Sequence, residues 1–248
     1  MDLKFSQEVL EKYPSLKTTD FATPFFKDGR DTRLLEWIYA RPDLDTLRGD
    51  PARVCAAIEE YSGQHELLLN VGSTKADLIN NLIAAQKPQV IVEMGCYVGY
   101  SAISFASAMR SQHPASTKLQ FWSLEFNLSF ASVATKLVEL AGLSDVVTIV
   151  IGAAGDSVKQ LAQENKLDHI DMLFIDHMAE NYHTDFQICE SLNLFKSGSQ
   201  IVADNILVPG APKYAEYVRN HPKFESKTVK CLHVPGDLED EIEITRVI

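Results

Sequence analysis

The pattern of apolar and polar positions changes character near residue 88. Before it, apolar residues recur at helical spacing and no segment alternates as a strand would. Asp31-Thr32 is placed to cap a helix carrying Leu34, Leu35, Trp37 and Ile38 on one side. Asp50-Pro51 reads as N-cap and first residue of a second helix, whose Val54, Cys55, Ile58 and Tyr61 share a face. Ser73-Thr74 opens a third, with Leu78, Leu82 and Ile83 inward, ending before Pro88. From Gln89 onward, short β-branched runs alternate with amphipathic segments. Strands are predicted at 90–94, 119–125, 146–152, 170–176 and 199–205, and helices at 99–111, 128–141, 156–165 and 181–195. Apolar runs of this length, each followed by a helix, imply a parallel sheet covered on both faces. The segments 224–232 and 241–248, joined through Pro235-Gly236-Asp237, read instead as an antiparallel hairpin that finishes the sheet. The expectation is one α/β domain over 1–248: seven strands, mostly parallel, with a helical N-terminal extension over 1–88 and the sheet-bearing core over 89–248.

Composition narrows the partners more than the fold. The 248 residues carry 23 Lys+Arg against 34 Asp+Glu, a formal charge of −11, which opposes binding to nucleic acid or an anionic membrane. No apolar run is long enough to span a bilayer, and the first 17 residues mix charges without an apolar core, so neither anchor nor signal peptide is expected. Cys55, Cys96, Cys189 and Cys231 lie far apart and read as reduced, mostly buried thiols of a cytoplasmic protein. Trp37 and Trp122 sit in apolar patterns and are expected in the core. The acidic run Asp237, Glu239, Asp240, Glu241 and Glu243 reads as a solvated hairpin. Segment 1–30, with Phe21, Phe25 and Phe26, could lid a pocket or meet a second copy.

The chemistry concentrates at predicted strand ends. After the first strand, Glu93-Met94-Gly95-Cys96-Tyr97-Val98-Gly99-Tyr100-Ser101 turns through two glycines into a helix. The G-x-x-x-G spacing differs from the G-x-G-x-x-G that receives a pyrophosphate, so the loop suits a cofactor without phosphates, with Glu93 near a cationic amino-acid end. Glu125, at the end of the second strand, is placed to accept both hydroxyls of a ribose. A nucleoside joined to an amino acid is S-adenosylmethionine; the competing reading is a tight turn in another doubly wound protein. The fourth and fifth strands end in Asp176-His177 and Asp204-Asn205. Asp176, Asp204 and Asn205 together offer three oxygen ligands for a hard divalent cation, magnesium by preference, with His177 stacking or hydrogen-bonding nearby.

Four segments, NVGSTKADLI (70–79), VEMGCYVGYSAISFA (92–106), IDMLFIDH (170–177) and ADNILVPGAPKYAEYVR (203–219), resemble the catechol O-methyltransferase family, and its fungal branch in particular. The resemblance implies the class I methyltransferase, Rossmann-like fold, and magnesium-dependent methyl transfer from S-adenosylmethionine to one hydroxyl of a catechol-type phenol, in a monomer or homodimer. It assigns Asn70, Val71, Glu93, Gly95, Tyr97, Ser101, Glu125, Ala153, Asp176 and His177 to the cofactor, and Asp176, Asp204 and Asn205 to the metal. Pro209 falls on the substrate rim.

Three features depart from the family. Its general-base lysine, three residues after the strand-four Asp, is here Ala179; two tryptophan walls are Leu67 and Met178; and an acid that contacts catechol aligns near Leu232-His233. His183, Glu180, Lys213 and His233 are the replacement bases on offer. With Ala179 in place, turnover is expected to be slow, shifted toward acidic phenols or removed. The alternative is a methyltransferase-like fold recruited to a non-methylating cyclisation or isomerisation, or to binding alone.

Overall fold

The computed structural model describes residues 5–19 and 28–248. Phe21, Phe25 and Phe26, invoked for a lid or a dimer contact, lie outside the described residues. Five helices precede or flank one face of the sheet: α2 (Arg30–Tyr39), α3 (Pro51–Gln64), α4 (Gly72–Gln86), α5 (Tyr100–Ser111) and α6 (Leu128–Leu140), with a short α1 (Gln7–Lys12) before them. The opposite face carries α7 (Ala154–Gln163), α8 (Tyr182–Ser191) and α9 (Pro212–Asn220). The strands are β1 (Val90–Met94), β2 (Gln120–Glu125), β3 (Val147–Ile151), β4 (Ile170–Ile175), β5 (Phe195–Ala203), β6 (Phe224–His233) and β7 (Leu238–Val247).

Side chains of one strand alternate between the two faces, and the two cores follow that alternation. Ile91, Phe121, Met172 and Phe174 pack with α2–α6, while Val92, Met94, Leu173 and Ile175 pack with α7–α9. The strand order is β3-β2-β1-β4-β5-β7-β6. All pairings through β5 are parallel, whereas β7 runs antiparallel to both β5 and β6. The order reverses between β1 and β4, so their C-terminal ends, with those of β2 and β5, border one crevice. Seven strands with a closing hairpin, and helices on both faces, give the class I methyltransferase, Rossmann-like fold.

Several boundaries differ from the sequence reading, each for a local reason. Helix α2 starts at Arg30 behind a left-handed Gly29 (φ 80°), and Asp31 is buried in its first turn, accepting the Ser129 hydroxyl. Asp50 does cap α3, accepting the Arg53 N–H at 3.1 Å. Helix α4 starts at Gly72, and its buried face is Lys75, Ala76, Ile79 and Ile83, with Leu78 and Leu82 only half-buried beside it. Strand β5 begins at Phe195, earlier than expected, because α8 already ends at Ser191.

The acidic run is not a solvated hairpin. Asp237 accepts the Lys12 ammonium at 2.8 Å and the Tyr13 hydroxyl at 2.9 Å, tying the hairpin to α1. Glu243 is buried against Arg219 and Thr228, and Asp240 is buried against Lys75. Only Glu239 of the five is exposed. Trp37 and Trp122 are half-buried rather than central, packing against the edges of the two cores. Cys55, Cys96 and Cys189 are buried and Cys231 half-buried, all as free thiols. Among the described residues no helix is long and apolar enough to cross a membrane.

Candidate functional site

The β1–α5 loop is the tightest point of the crevice. Gly95 adopts φ 96°, and a Cβ there would lie 2.7 Å from the Asp176 carbonyl carbon and 3.0 Å from the His177 nitrogen. Only glycine lets β1 and β4 approach this closely. Two residues on, Tyr97 takes φ 47°, a left-handed conformation uncommon for a bulky residue. Glu125 holds it there. One carboxylate oxygen of Glu125 accepts the N–H groups of Cys96 and Tyr97 at 3.1 and 2.9 Å; the other accepts the Asn127 N–H at 2.8 Å. The acid expected to bind a ribose therefore also fastens the β1 loop to the end of β2, with three of its roughly four acceptor positions in use. The Tyr97 ring meets Phe130 edge-on at 4.8 Å.

Glu93 is wholly buried at the end of β1 and accepts the Ser123 hydroxyl. Burial pushes its carboxyl up to about 7, against the opposing pull of the Ser101 and Ser123 hydroxyls. His177, after β4, places Nε2 at 2.8 Å from Asp185 and stacks on Tyr182 at 5.2 Å, so the local hydrogen bond anticipated for it is present. Ser101 is buried in the first turn of α5, and Ala153 caps α7 beyond β3.

Several buried polar side-chain atoms have no hydrogen-bond partner among the described residues. Buried polar atoms are nearly always hydrogen-bonded. Twelve side-chain atoms among the described residues break that rule, and five belong to predicted cofactor residues: both amide atoms of Asn70, Glu93 Oε1, the Tyr97 hydroxyl and His177 Nδ1.

Asp176, Asp204 and Asn205 stand at the ends of β4 and β5, adjacent parallel strands with Ile175 in register with Ala203. Asn205 adopts φ 56°, which asparagine tolerates. The residue missed from sequence is Lys75: its buried ammonium lies 2.6 Å from a carboxylate oxygen of both Asp204 and Asp240. Burial alone would lower the Lys75 pKa, but the two carboxylates outweigh it and hold it above its ordinary value. Burial, then the neighbouring Asp204 charge, pushes the Asp176 carboxyl well above the usual range. Asp204 is likewise raised by burial, with Lys75 opposing.

Three carboxylates against one ammonium leave two negative charges when all are ionised. That imbalance, with the Asp176 oxygens, the second Asp204 oxygen and the Asn205 carbonyl oxygen unbonded among the described residues, fits a hard divalent cation. Among the described residues no three His, Cys, Asp or Glu side chains form a group that could hold a metal, so a cation here would need the amide oxygen of Asn205 as well.

The O-methyltransferase family matches residues 55–239, three quarters of the chain and all of the crevice. The chain belongs to the O-methyltransferase family. It is 38% identical over 193 residues to bovine (Bos taurus) catechol O-methyltransferase, covering 78% of this chain and 67% of that one. The mouse (Mus musculus) catechol O-methyltransferase is 35% identical over 191 residues, covering 77% and 68%. Among solved structures, an O-methyltransferase from Bacillus cereus in complex with SAH superposes with a TM-score of 0.67 at 22% identity, covering 97% of this chain and 100% of that one. An O-methyltransferase from Streptomyces achromogenes in complex with SAM gives 0.65 at 19% identity, covering 90% and 99%.

The positions that the resemblance assigns to the acceptor side are scattered in exposure. Ala179 is half-buried and brings no base. Met178 and Pro209 are exposed beyond β4 and β5, but Leu67 is buried against Tyr13 and Leu16 and does not present a wall. Of the replacement bases, Glu180 and Lys213 are exposed, and His183 packs on the Tyr217 ring at 4.8 Å. His233 alone feels Lys75 and Asp240. Burial and the Lys75 ammonium press its pKa down to about 4, with Asp240 opposing, so it stands neutral.

Proposed function

We propose that the protein transfers a methyl group from S-adenosylmethionine to a hydroxyl of a catechol-type or other small phenolic acceptor, with magnesium at Asp176, Asp204 and Asn205. The observation that carries this reading is the unpartnered buried polar atoms on Asn70, Glu93, Tyr97 and His177. Glu93 and Tyr97 belong to the C-terminal end of β1 and the loop after it, and His177 follows β4, where a nucleoside bearing an amino acid would supply partners. Glu125 keeps the Cys96–Tyr97 backbone in place from the β2 side. A divalent cation held by the three oxygen ligands would lower a phenol pKa and orient the acceptor oxygen.

The chain's own residues then decide which acceptors work. No lysine stands at Ala179, and a His233 imidazole with a pKa near 4 is a weak proton acceptor at neutral pH. Acceptors whose hydroxyl is already acidic are therefore favoured over simple catechols. The exposed Met178 side chain offers an apolar contact to an aromatic ring.

The test is a methyl-transfer assay on the purified protein with labelled S-adenosylmethionine and a panel of catechols and acidic phenols, with magnesium and with EDTA. Product that disappears with EDTA, and is greatest for the acidic phenols, supports the reading. No product with any acceptor, despite tight cofactor binding by calorimetry, would overturn it in favour of a non-methylating use of the fold.

A further inference from the structure

Asp240 lies on β7, opposite Cys231 of β6, in an acidic run that sequence alone gives no reason to connect with the crevice. In the folded protein it is 2% exposed, and all four of its acceptor positions are taken. Oδ2 accepts the Lys75 ammonium at 2.6 Å and the Asn205 side-chain amide at 3.0 Å. Oδ1 accepts the backbone N–H groups of Leu207 and Val208 at 3.2 and 3.1 Å. Three of these four donors belong to the segment that leaves β5 and carries Asn205 and Pro209.

We propose that Asp240 is a positioning residue for the metal site: it aims the Asn205 carbonyl oxygen into the crevice and fixes the adjoining loop, while Lys75 binds Asp240 to Asp204. This rests on the reading of Asp176, Asp204 and Asn205 as metal ligands. The chemistry of the amide makes the aim directional. An ionised carboxylate only accepts, so it binds Asn205 through Nδ2 and turns Oδ1 to the other side. The left-handed backbone of Asn205 leaves its side chain without a helix or strand to constrain it, and the bond to Asp240 supplies that constraint. The two backbone donors at Leu207 and Val208 are the first amides past Ile206 in the irregular turn Ile206–Gly210, which has no ladder of its own to satisfy them. Lys75 reaches the same carboxylate from α4, so one ammonium neutralises Asp240 and orients Asp204 through Oδ1. The C-terminal hairpin thus takes part in shaping the site from behind. A partner of this kind acts on ligand orientation, and its loss costs roughly 10- to 100-fold in metal affinity.

The experiment compares wild type, Asp240→Asn, Asn205→Ala and the double variant, each as the full chain saturated with S-adenosylhomocysteine, by calorimetric titration with Mn2+. Asp240→Asn keeps the side-chain volume but puts an NH2 group against donors. It is expected to weaken Mn2+ binding about tenfold, with affinity for S-adenosylmethionine within twofold of wild type. The double variant is expected to bind Mn2+ no more weakly than Asn205→Ala alone, because Asp240 acts through Asn205. Normal Mn2+ affinity in Asp240→Asn, alongside a loss in Asn205→Ala, would overturn the inference and leave the metal reading intact. Unchanged affinity in Asn205→Ala would overturn the metal reading itself and the inference with it. Should Asp240→Asn fail to fold, Asp240→Glu keeps the charge against Lys75 while displacing the carboxylate from Asn205. The same loss is expected of it, and wild-type Mn2+ affinity in that variant would overturn the proposal.

Discussion

Lys75 and Asp204 form a wholly buried ion pair, Nζ to Oδ1 at 2.6 Å, that joins helix α4 to the end of β5. Its two members are 129 residues apart in sequence. Removing one partner from a buried pair leaves an uncompensated charge, which is worse than never having had the pair. Lys75→Met should therefore destabilise the fold by about 3–5 kcal/mol in urea denaturation, since it strands Asp204 and Asp240 together. Adding Asp240→Asn to Lys75→Met should recover part of that loss. A double variant no more stable than Lys75→Met would show that the Asp240 charge is not what the lysine compensates.

Glu93, wholly buried, and His233, half-buried, give opposite pH signatures. The native Glu93 carboxyl titrates near 7 rather than at its ordinary 4.5, so between those values the folded chain binds more protons than the unfolded one. Its contribution to stability is full below about pH 4.5 and falls as pH rises through about 7, by roughly 3 kcal/mol in all. His233 is displaced the other way, from 6.5 to about 4, and its contribution falls as pH drops through that window. The two slopes cancel in the wild type between about pH 4.5 and 6.5. Denaturation midpoints at half-unit pH intervals should separate them: Glu93→Gln loses the decline toward pH 7, and His233→Gln loses the decline toward pH 4. Parallel curves for all three proteins would contradict both assignments.

The sheet was legible because its signal is local: short β-branched runs such as VIVEM and IDMLFI, each followed by a helix, can only be buried parallel strands. The strand-end acids Glu93, Glu125, Asp176 and Asp204 were legible for the same reason, since each follows directly from its strand. Lys75 and Asp240 were not. Periodicity assigns an inward face by apolarity, and it chose Leu78 and Leu82 over a lysine whose counter-charges are far away in sequence. The acidic run looked solvated because nothing local shows that a cation from α4 enters the hairpin. Leu67 was misplaced by a correspondence of position alone; its surroundings, Tyr13 and Leu16, come from the N-terminal segment.

In the proposed cofactor site, Glu125 acts through the loop it fastens. Glu125→Ala leaves the N–H groups of Cys96, Tyr97 and Asn127 without their acceptor and frees Tyr97 from its left-handed conformation. Hydrogen bonds to a charged acceptor are worth about 1.5–3 kcal/mol each, so affinity for S-adenosylmethionine should fall at least about tenfold by calorimetry. An affinity unchanged by the substitution would remove Glu125 from the cofactor site.

Gly95→Ala probes the closest approach of β1 to β4. The added methyl would meet the Asp176 backbone, which cannot rotate away as a side chain could, and alanine resists φ 96°. The expected outcome is a loss of about 3 kcal/mol or more in denaturation, together with weaker cofactor binding, because Asp176 and His177 are displaced with the strand end. A stable variant with wild-type cofactor affinity would mean that the loop yields at no consequence to the site.

Ala179→Lys asks whether the family chemistry still operates here. The position follows Asp176 by three residues and starts the turn Ala179–Asn181 just beyond β4. A positioned base contributes about 10²- to 10⁴-fold to proton transfer, so even an imperfect restoration should raise catechol turnover by about tenfold. The gain should be largest for the least acidic acceptors, whose hydroxyl proton is hardest to lose, and small for acidic phenols that ionise unaided. Plotting the Ala179→Lys to wild-type kcat ratio against acceptor pKa tests this directly. A ratio that rises with pKa assigns the missing proton acceptor to position 179. A ratio near one across the series would mean that proton removal does not limit the reaction, and that acceptor choice is set by the altered walls, Met178 foremost.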